Sequence, residues 1–156
     1  MHTRVLGLGN TILRDDGVGV VVAREVAAWL AQRKRPRSVE VVEAEMAGFA
    51  LLELLAGCER VIIVDAVDLP GVAAGELIEI DPEGLRTSPR LRSVHEMDLP
   101  TALALGRQLG HPMPSDVQVL GIQAADMRTF GEELTPAVAA AVPAAVAAVI
   151  ARLADL

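Results

Sequence analysis

The sequence predicts an α/β fold: a single-domain three-layer α/β/α sandwich over residues 1–156, with a mostly parallel, five-stranded twisted sheet and one antiparallel strand in its edge region. Three observations predict it. Apolar runs of strand length alternate with segments of helical period, the pattern of successive βα units. The chain has 156 residues, the size of one domain, and can bury about two-thirds of its unfolded surface. Hydrophobic residues supply 52% but aromatic residues only 2%, so a core can form and must be built from Leu, Val, Ile and Ala.

The first strand is expected over residues 4–9. Helix one then runs from near Asp16 to near Arg33, because Val18, Val22, Val26 and Trp29 recur at helical spacing and share a face. The basic run Arg33-Lys34-Arg35 falls at its end, where it complements the helix dipole. Residues 39–45 form the second strand. A short helix over 48–56 carries Leu51, Leu52 and Leu55 on its buried side. Residues 60–66 are the continuous apolar run of a strand covered on both faces. Leu69-Pro70-Gly71 is turn chemistry. Residues 76–81 alternate polar and apolar, which marks a half-exposed strand at the sheet edge. A polar loop over 82–94, a helix over 100–109 with Asp98 near its start, and a fifth strand over 117–123 follow. The last helix opens with Thr135 as N-cap and Pro136 at the first helical position. Val138, Val142, Val146, Val149 and Leu153 line one of its faces, and a kink is expected at Pro143.

Composition excludes several partners. Fourteen basic against 21 acidic residues give a net charge of −7, unsuited to a phosphate backbone. One Trp and two Phe offer no base-stacking platform, so no nucleic acid is expected. The most apolar segment, residues 135–152, is short for a span of about 20 residues, rich in Ala and interrupted by Pro143, so no membrane insertion is expected. A single cysteine, Cys58, excludes an internal disulfide framework and fits a cytoplasmic location.

Ligands of open α/β sheets bind beyond the carboxyl ends of the strands, so the residues that follow each strand matter most. Gly7 and Gly9 after the first strand suggest a dinucleotide fingerprint, but its third glycine is replaced by Ile12. No ribose-binding acid stands at the expected distance either, since Glu43 and Glu45 come later. A tight turn beneath a helix explains both glycines better. Asp16 at a helix start, Asp65 at the end of a central strand and His95 in a loop form a stronger set. Two carboxylates and an imidazole can hold a divalent metal and leave positions open. Each also has a plain structural reading: a first-turn helix acid, a turn cap and a solvated loop residue. Cys58 reads as a structural thiol, His2 and His111 as surface residues, and Ser93 lacks a nucleophile elbow.

Three stretches then fall together: residues 5–20 (VLGLGNTILRDDGVGV), 61–68 (VIIVDAVD) and 93–97 (SVHEM), with Gly121-Ile122-Gln123 and Leu134-Thr135-Pro136 in order behind them. The chain resembles, over nearly its whole length, the hydrogenase maturation proteases. The resemblance implies a single α/β/α domain and an endopeptidase that removes a C-terminal extension from the large-subunit precursor of a nickel-iron hydrogenase. It implies that nickel, supplied by the loaded precursor, is the recognition signal. It implies further that Asp16, Asp65 and His95 are both the metal ligands and the catalytic residues, the aspartic-type reading included. One stretch departs from the family: where many members carry Asp-Gly-Gly-Thr, this chain reads Glu43-Ala44-Glu45-Met46-Ala47-Gly48, which bears on which hydrogenase is cut. The rival functions are a non-catalytic sensor of nickel loading and a nucleotide-binding module. Because the three site residues stand at strand or loop ends, their replacement is expected to remove activity and leave the fold intact.

Overall fold

The computed structural model describes residues 1–33, 38–45, 49–83 and 98–154. Among these residues, five strands form one sheet: β1 (Thr3–Leu8), β2 (Val39–Ala44), β3 (Arg60–Val67), β4 (Leu77–Ile80) and β5 (Asp116–Gln123). Their order is β2-β1-β3-β5-β4. All neighbours run parallel except β4, which joins β5 antiparallel at the edge. The alternating segment is therefore the antiparallel edge strand that its sequence predicts.

Among the described residues, four helices flank the sheet: α1 (Val18–Ala31), α2 (Phe49–Leu55), α3 (Leu99–Gln108) and α4 (Pro136–Leu153). The pleat sends alternate residues of each strand to opposite faces. Val5, Ile62 and Val64 point to a core shared with α1 and α4. Leu6, Leu8, Val61 and Ile63 point to a second core shared with α2 and α3. Both are aliphatic, and each fully buried Val, Leu or Ile contributes about 1.5–3 kcal/mol of transfer free energy. The double cover explains why β3 is buried along nearly its whole length.

Three details differ from the sequence reading. Residues Arg14–Gly17 form a 3₁₀ turn, and the α-helix proper begins only at Val18. Leu30, not Trp29, completes the buried row of Val18, Val22 and Val26. Trp29 is half-buried beneath the Arg33 guanidinium, 3.9 Å from its ring centroid. Arg33 also donates to the Trp29 carbonyl at 3.4 Å, which suits a cation at a helix end. Lys34 and Arg35 lie outside the described residues. In α4 the buried row is Val138, Ala141, Ala145, Val149 and Leu153, with Val142 and Val146 at its flank. Small Ala side chains let the helix approach α1 more closely than Val would. The helix continues through Pro143.

β1 leads to β2 on one side of it, whereas β3 leads on to the β4–β5 half of the sheet. The connections diverge between β1 and β3. The crevice beyond the carboxyl ends of these two strands is the place where such sheets bind ligands.

Candidate functional site

The loop after β1 reaches this crevice through tight turns. The Leu13 amide donates to the Asn10 carbonyl at 3.1 Å, and the Asp16 amide to the Leu13 carbonyl at 3.1 Å. The 3₁₀ turn then packs against β3. Two glycines permit the approach. A Cβ on Gly9 would strike the Asp16 carbonyl, and one on Gly19 would strike the carbonyls of Leu8 and Val64. These glycines let the first turn of α1 lie close on β1 and β3; Gly7, read with Gly9 from the sequence as the turn beneath a helix, is likewise pressed against α1, where a Cβ would strike Ala23 and the Gly19 carbonyl. Glu43, considered above as a ribose acid, is instead held by Arg24 at 3.1 Å.

Asp16 is nearly buried, and its Oδ2 accepts the Asn10 amide at 3.1 Å. Asp65 is fully buried near the end of β3 and accepts the Ala66 amide at 2.9 Å through Oδ1. Its register partner on β5 is Gly121, so no side chain projects beside it from that strand. The complete burial of Asp65 removes the ground for expecting that its replacement leaves the fold untouched, since a strand-end position is not an exposed one here. A buried carboxylate is costly unless its oxygens are satisfied. The segments bearing Asp16 and Asp65 are thus in contact at the crevice. His95, Ser93 and Met46-Ala47-Gly48 lie outside the described residues. Among the described residues, no three His, Cys, Asp or Glu side chains form a group able to hold a metal ion.

The sequence reading assigned no role to Asp15. It is fully buried. Its Oδ2 accepts the amides of Ala125 and Asp126, both at 2.9 Å, and the Thr135 hydroxyl at 2.7 Å. Its Oδ1 accepts the Thr135 amide at 2.7 Å. Burial alone would raise its pKa, but these hydrogen bonds outweigh burial and hold it below the ordinary carboxylate value. Asp15 therefore ties the turn that carries Asp16 to the β5–α4 connection. Thr135 occupies the N-cap position of α4 as expected, yet its hydroxyl donates to Asp15 and makes no cap hydrogen bond. The available signal was the adjacent pair Asp15-Asp16: two successive side chains at the head of a helix point in different directions.

The other candidates have structural roles. Cys58 is buried and donates to the Leu55 carbonyl at 3.3 Å, and burial pushes its thiol pKa up. His2 pairs with Glu40 at 3.3 Å at the opposite end of the sheet, and His111 is exposed. Gln123 accepts the Leu69 amide at 2.9 Å and fastens the β3–β4 connection.

The comparisons with known proteins agree with this architecture. The model of the hydrogenase maturation protease family matches residues 23–152. The hydrogenase 2 maturation protease of Escherichia coli is 30% identical over 154 residues, spanning 98% of this chain and 91% of that protein. The hydrogenase expression/formation protein HupD of Rhodobacter capsulatus is 28% identical over 151 residues, 96% of this chain and 70% of that protein. The solved structure of the hydrogenase maturating endopeptidase HybD of E. coli superposes with a TM-score of 0.77 at 26% identity, covering 99% of this chain and 93% of that one. With the matched fold and the family model over most of its length, the chain belongs to the hydrogenase maturation proteases, a family of peptidases.

Proposed function

We propose that this chain is the endopeptidase that removes a C-terminal extension from the nickel-loaded large-subunit precursor of a nickel-iron hydrogenase. The observation that carries the reading is the pair Asp16 and Asp65 beside the β1–β3 crevice, with Asp65 fully buried within the sheet. Both acids are buried, and both stand where this sheet topology places ligands. The proposed ligand is the nickel of the substrate, approached by Asp16, Asp65 and His95. Nickel accepts carboxylate oxygen and imidazole nitrogen, so this donor set fits it.

The reaction is hydrolysis. Water adds to the scissile carbonyl, the C–N bond breaks, and the mature subunit keeps the new carboxylate while the extension leaves with the new amine. The carboxylates orient the loaded precursor and can accept a proton from the attacking water. We place the reaction in the cytoplasm, where a lone thiol such as Cys58 stays reduced.

The test is direct. The protein is incubated with nickel-loaded and with nickel-free precursor, and the C-terminus of the large subunit is read by mass spectrometry. The expected result is trimming of the loaded form alone. Trimming of neither form refutes the protease reading, and equal trimming of both refutes the nickel requirement.

A further inference from the structure

The connection from β5 to α4, residues 124–135, runs alongside the turn that carries Asp16. The two segments lie 110 or more residues apart in sequence, yet they are stitched together at successive positions. The Gly131 amide donates to the Ile12 carbonyl at 2.8 Å, the Arg14 amide to the Gly131 carbonyl at 2.8 Å, and the Asp15 amide to the Asp126 carbonyl at 3.0 Å. The Asp15 carboxylate adds four hydrogen bonds from the same connection, donated by the amides of Ala125, Asp126 and Thr135 and by the Thr135 hydroxyl. The connection is braced in turn, because Asp126 Oδ1 accepts the amides of Arg128 and Thr129, both at 3.0 Å.

The stitching carries local costs. Thr135 opens α4, where a Thr hydroxyl ordinarily accepts an amide of the first helical turn. Here it makes no cap hydrogen bond and donates to Asp15 at 2.7 Å instead. Arg14 is held in the left-handed region, with φ 48°, which is unfavourable for a residue other than glycine. Asp15 is a carboxylate taken fully out of water, and only its donors offset that burial. These three departures from local preference meet directly beside Asp16. Local costs gathered in one place mark geometry that is held for function and offset by the rest of the fold. What this geometry fixes is the next residue along. The Asp16 amide donates to the Leu13 carbonyl at 3.1 Å, and Asp16 Oδ2 accepts the Asn10 amide at 3.1 Å.

We propose that Asp15 and Thr135 are positioning residues for Asp16. The Thr135 hydroxyl and the amides of the β5–α4 connection fix the Asp15 carboxylate, and Asp15 fixes the turn that holds the Asp16 carboxylate at the β1–β3 crevice. The inference rests on the protease reading above, in which Asp16 meets the substrate. Asp15 and Thr135 do not touch the substrate and act through Asp16. Leu134-Thr135-Pro136 thereby serves the site as well as the start of α4.

The experiment compares Thr135→Val, which keeps the branched shape and removes the hydroxyl, with Thr135→Ser, which keeps the hydroxyl. Trimming of nickel-loaded precursor is measured as kcat/KM per folded molecule. Amide hydrogen exchange is followed at Asn10, whose amide reports on the Asp16 carboxylate, against the amides of β3. Partners behind metal-binding groups are worth about 10–100-fold, so Thr135→Val should lower kcat/KM roughly 10-fold. Its Asn10 amide should lose protection while β3 stays protected, the mark of a local loosening. Thr135→Ser should restore both. If Thr135→Val lowers only the melting temperature, with trimming and Asn10 protection unchanged, the proposal is overturned and Thr135 is a structural residue. With a wild type that trims, a change in one readout without the other overturns it too, because the Asp16 turn is then not the link. Failure of the wild type to trim overturns the protease reading, and the Asn10 comparison alone then decides whether Thr135 and Asp15 hold Asp16. Thr135→Ala removes the same hydroxyl and replaces Thr135→Val if that variant does not fold.

Discussion

Asp15 and Asp16 are neighbours in sequence with different work. Asp15 has four donors aimed at its two oxygens in a fully buried setting. Asp15→Ala strands those donors, and leaving buried polar groups unsatisfied costs about 1–3 kcal/mol for each group that water cannot reach. A loss of roughly 2–4 kcal/mol is expected from urea unfolding midpoints. The same carboxylate makes stability depend on pH. Its folded pKa lies below the ordinary 3.8, so its contribution is present above that value and disappears as pH falls through the lower folded value. Wild type should therefore lose more stability than Asp15→Asn between pH 5 and the acid limit of the fold. Asp16→Asn and Asp65→Asn keep side-chain volume and remove the charge. Each should lower trimming at least about 100-fold, since even groups behind metal ligands are worth 10–100-fold; the melting temperature should move little in Asp16→Asn and fall in Asp65→Asn, where the new amide NH2 is fully buried. The places of Asp16 and Asp65 in the fold were legible, one as an acid at a helix start and the other as a polar residue that closes an apolar run. The role of Asp15 was not, because its partners come from a loop 110 or more residues away.

At the scale of elements, legibility followed contrast. β3 reads as a covered strand because its apolar run has no polar alternation, and β4 as an edge because it alternates. The buried face of α4 could not be read in the same way. Between Thr135 and Arg152 every residue is Ala, Val, Ile or Pro, so several rows share one period and close packing selects among them. Gly19 shows the same packing logic in α1. In an exposed helix, Gly→Ala stabilises by roughly 1 kcal/mol through propensity. Here the new Cβ meets the carbonyls of Leu8 and Val64, two strand backbones that cannot yield as a side chain can. Overpacking of this kind costs about 1–3 kcal/mol or more. Gly19→Ala should consequently destabilise, with a lower urea midpoint, and shift Asp16 through the displaced turn, so that trimming falls as well.

At the scale of the whole molecule, the two ends of the parallel sheet divide the labour. At the amino end, charged groups join elements to one another. Arg60 opens β3 and donates to Asp116 at the start of β5 at 2.6 Å, and to the Arg152 carbonyl at the end of α4 at 3.0 Å. Arg4 does the same for β2 and α2, through Glu40 at 2.9 Å and the Leu54 and Ala56 carbonyls at 2.6 and 3.0 Å. Toward the carboxyl end stand Asp16 and Asp65. Arg60→Met keeps much of the apolar stem and removes the guanidinium. Hydrogen bonds to a charged group are worth about 1.5–3 kcal/mol when shielded, and the half-exposed Asp116 brings the expected loss down to about 1–2 kcal/mol. Since the change lies at the far end of β3 from Asp65, kcat/KM per folded molecule should stay within about twofold of wild type. Asp16→Asn should do the reverse, with trimming lost and the unfolding midpoint kept. Measuring both quantities in both variants tests the division itself. If Arg60→Met lowers trimming beyond its unfolded fraction, the amino end is coupled to the site, and separate roles for the two ends are the wrong description.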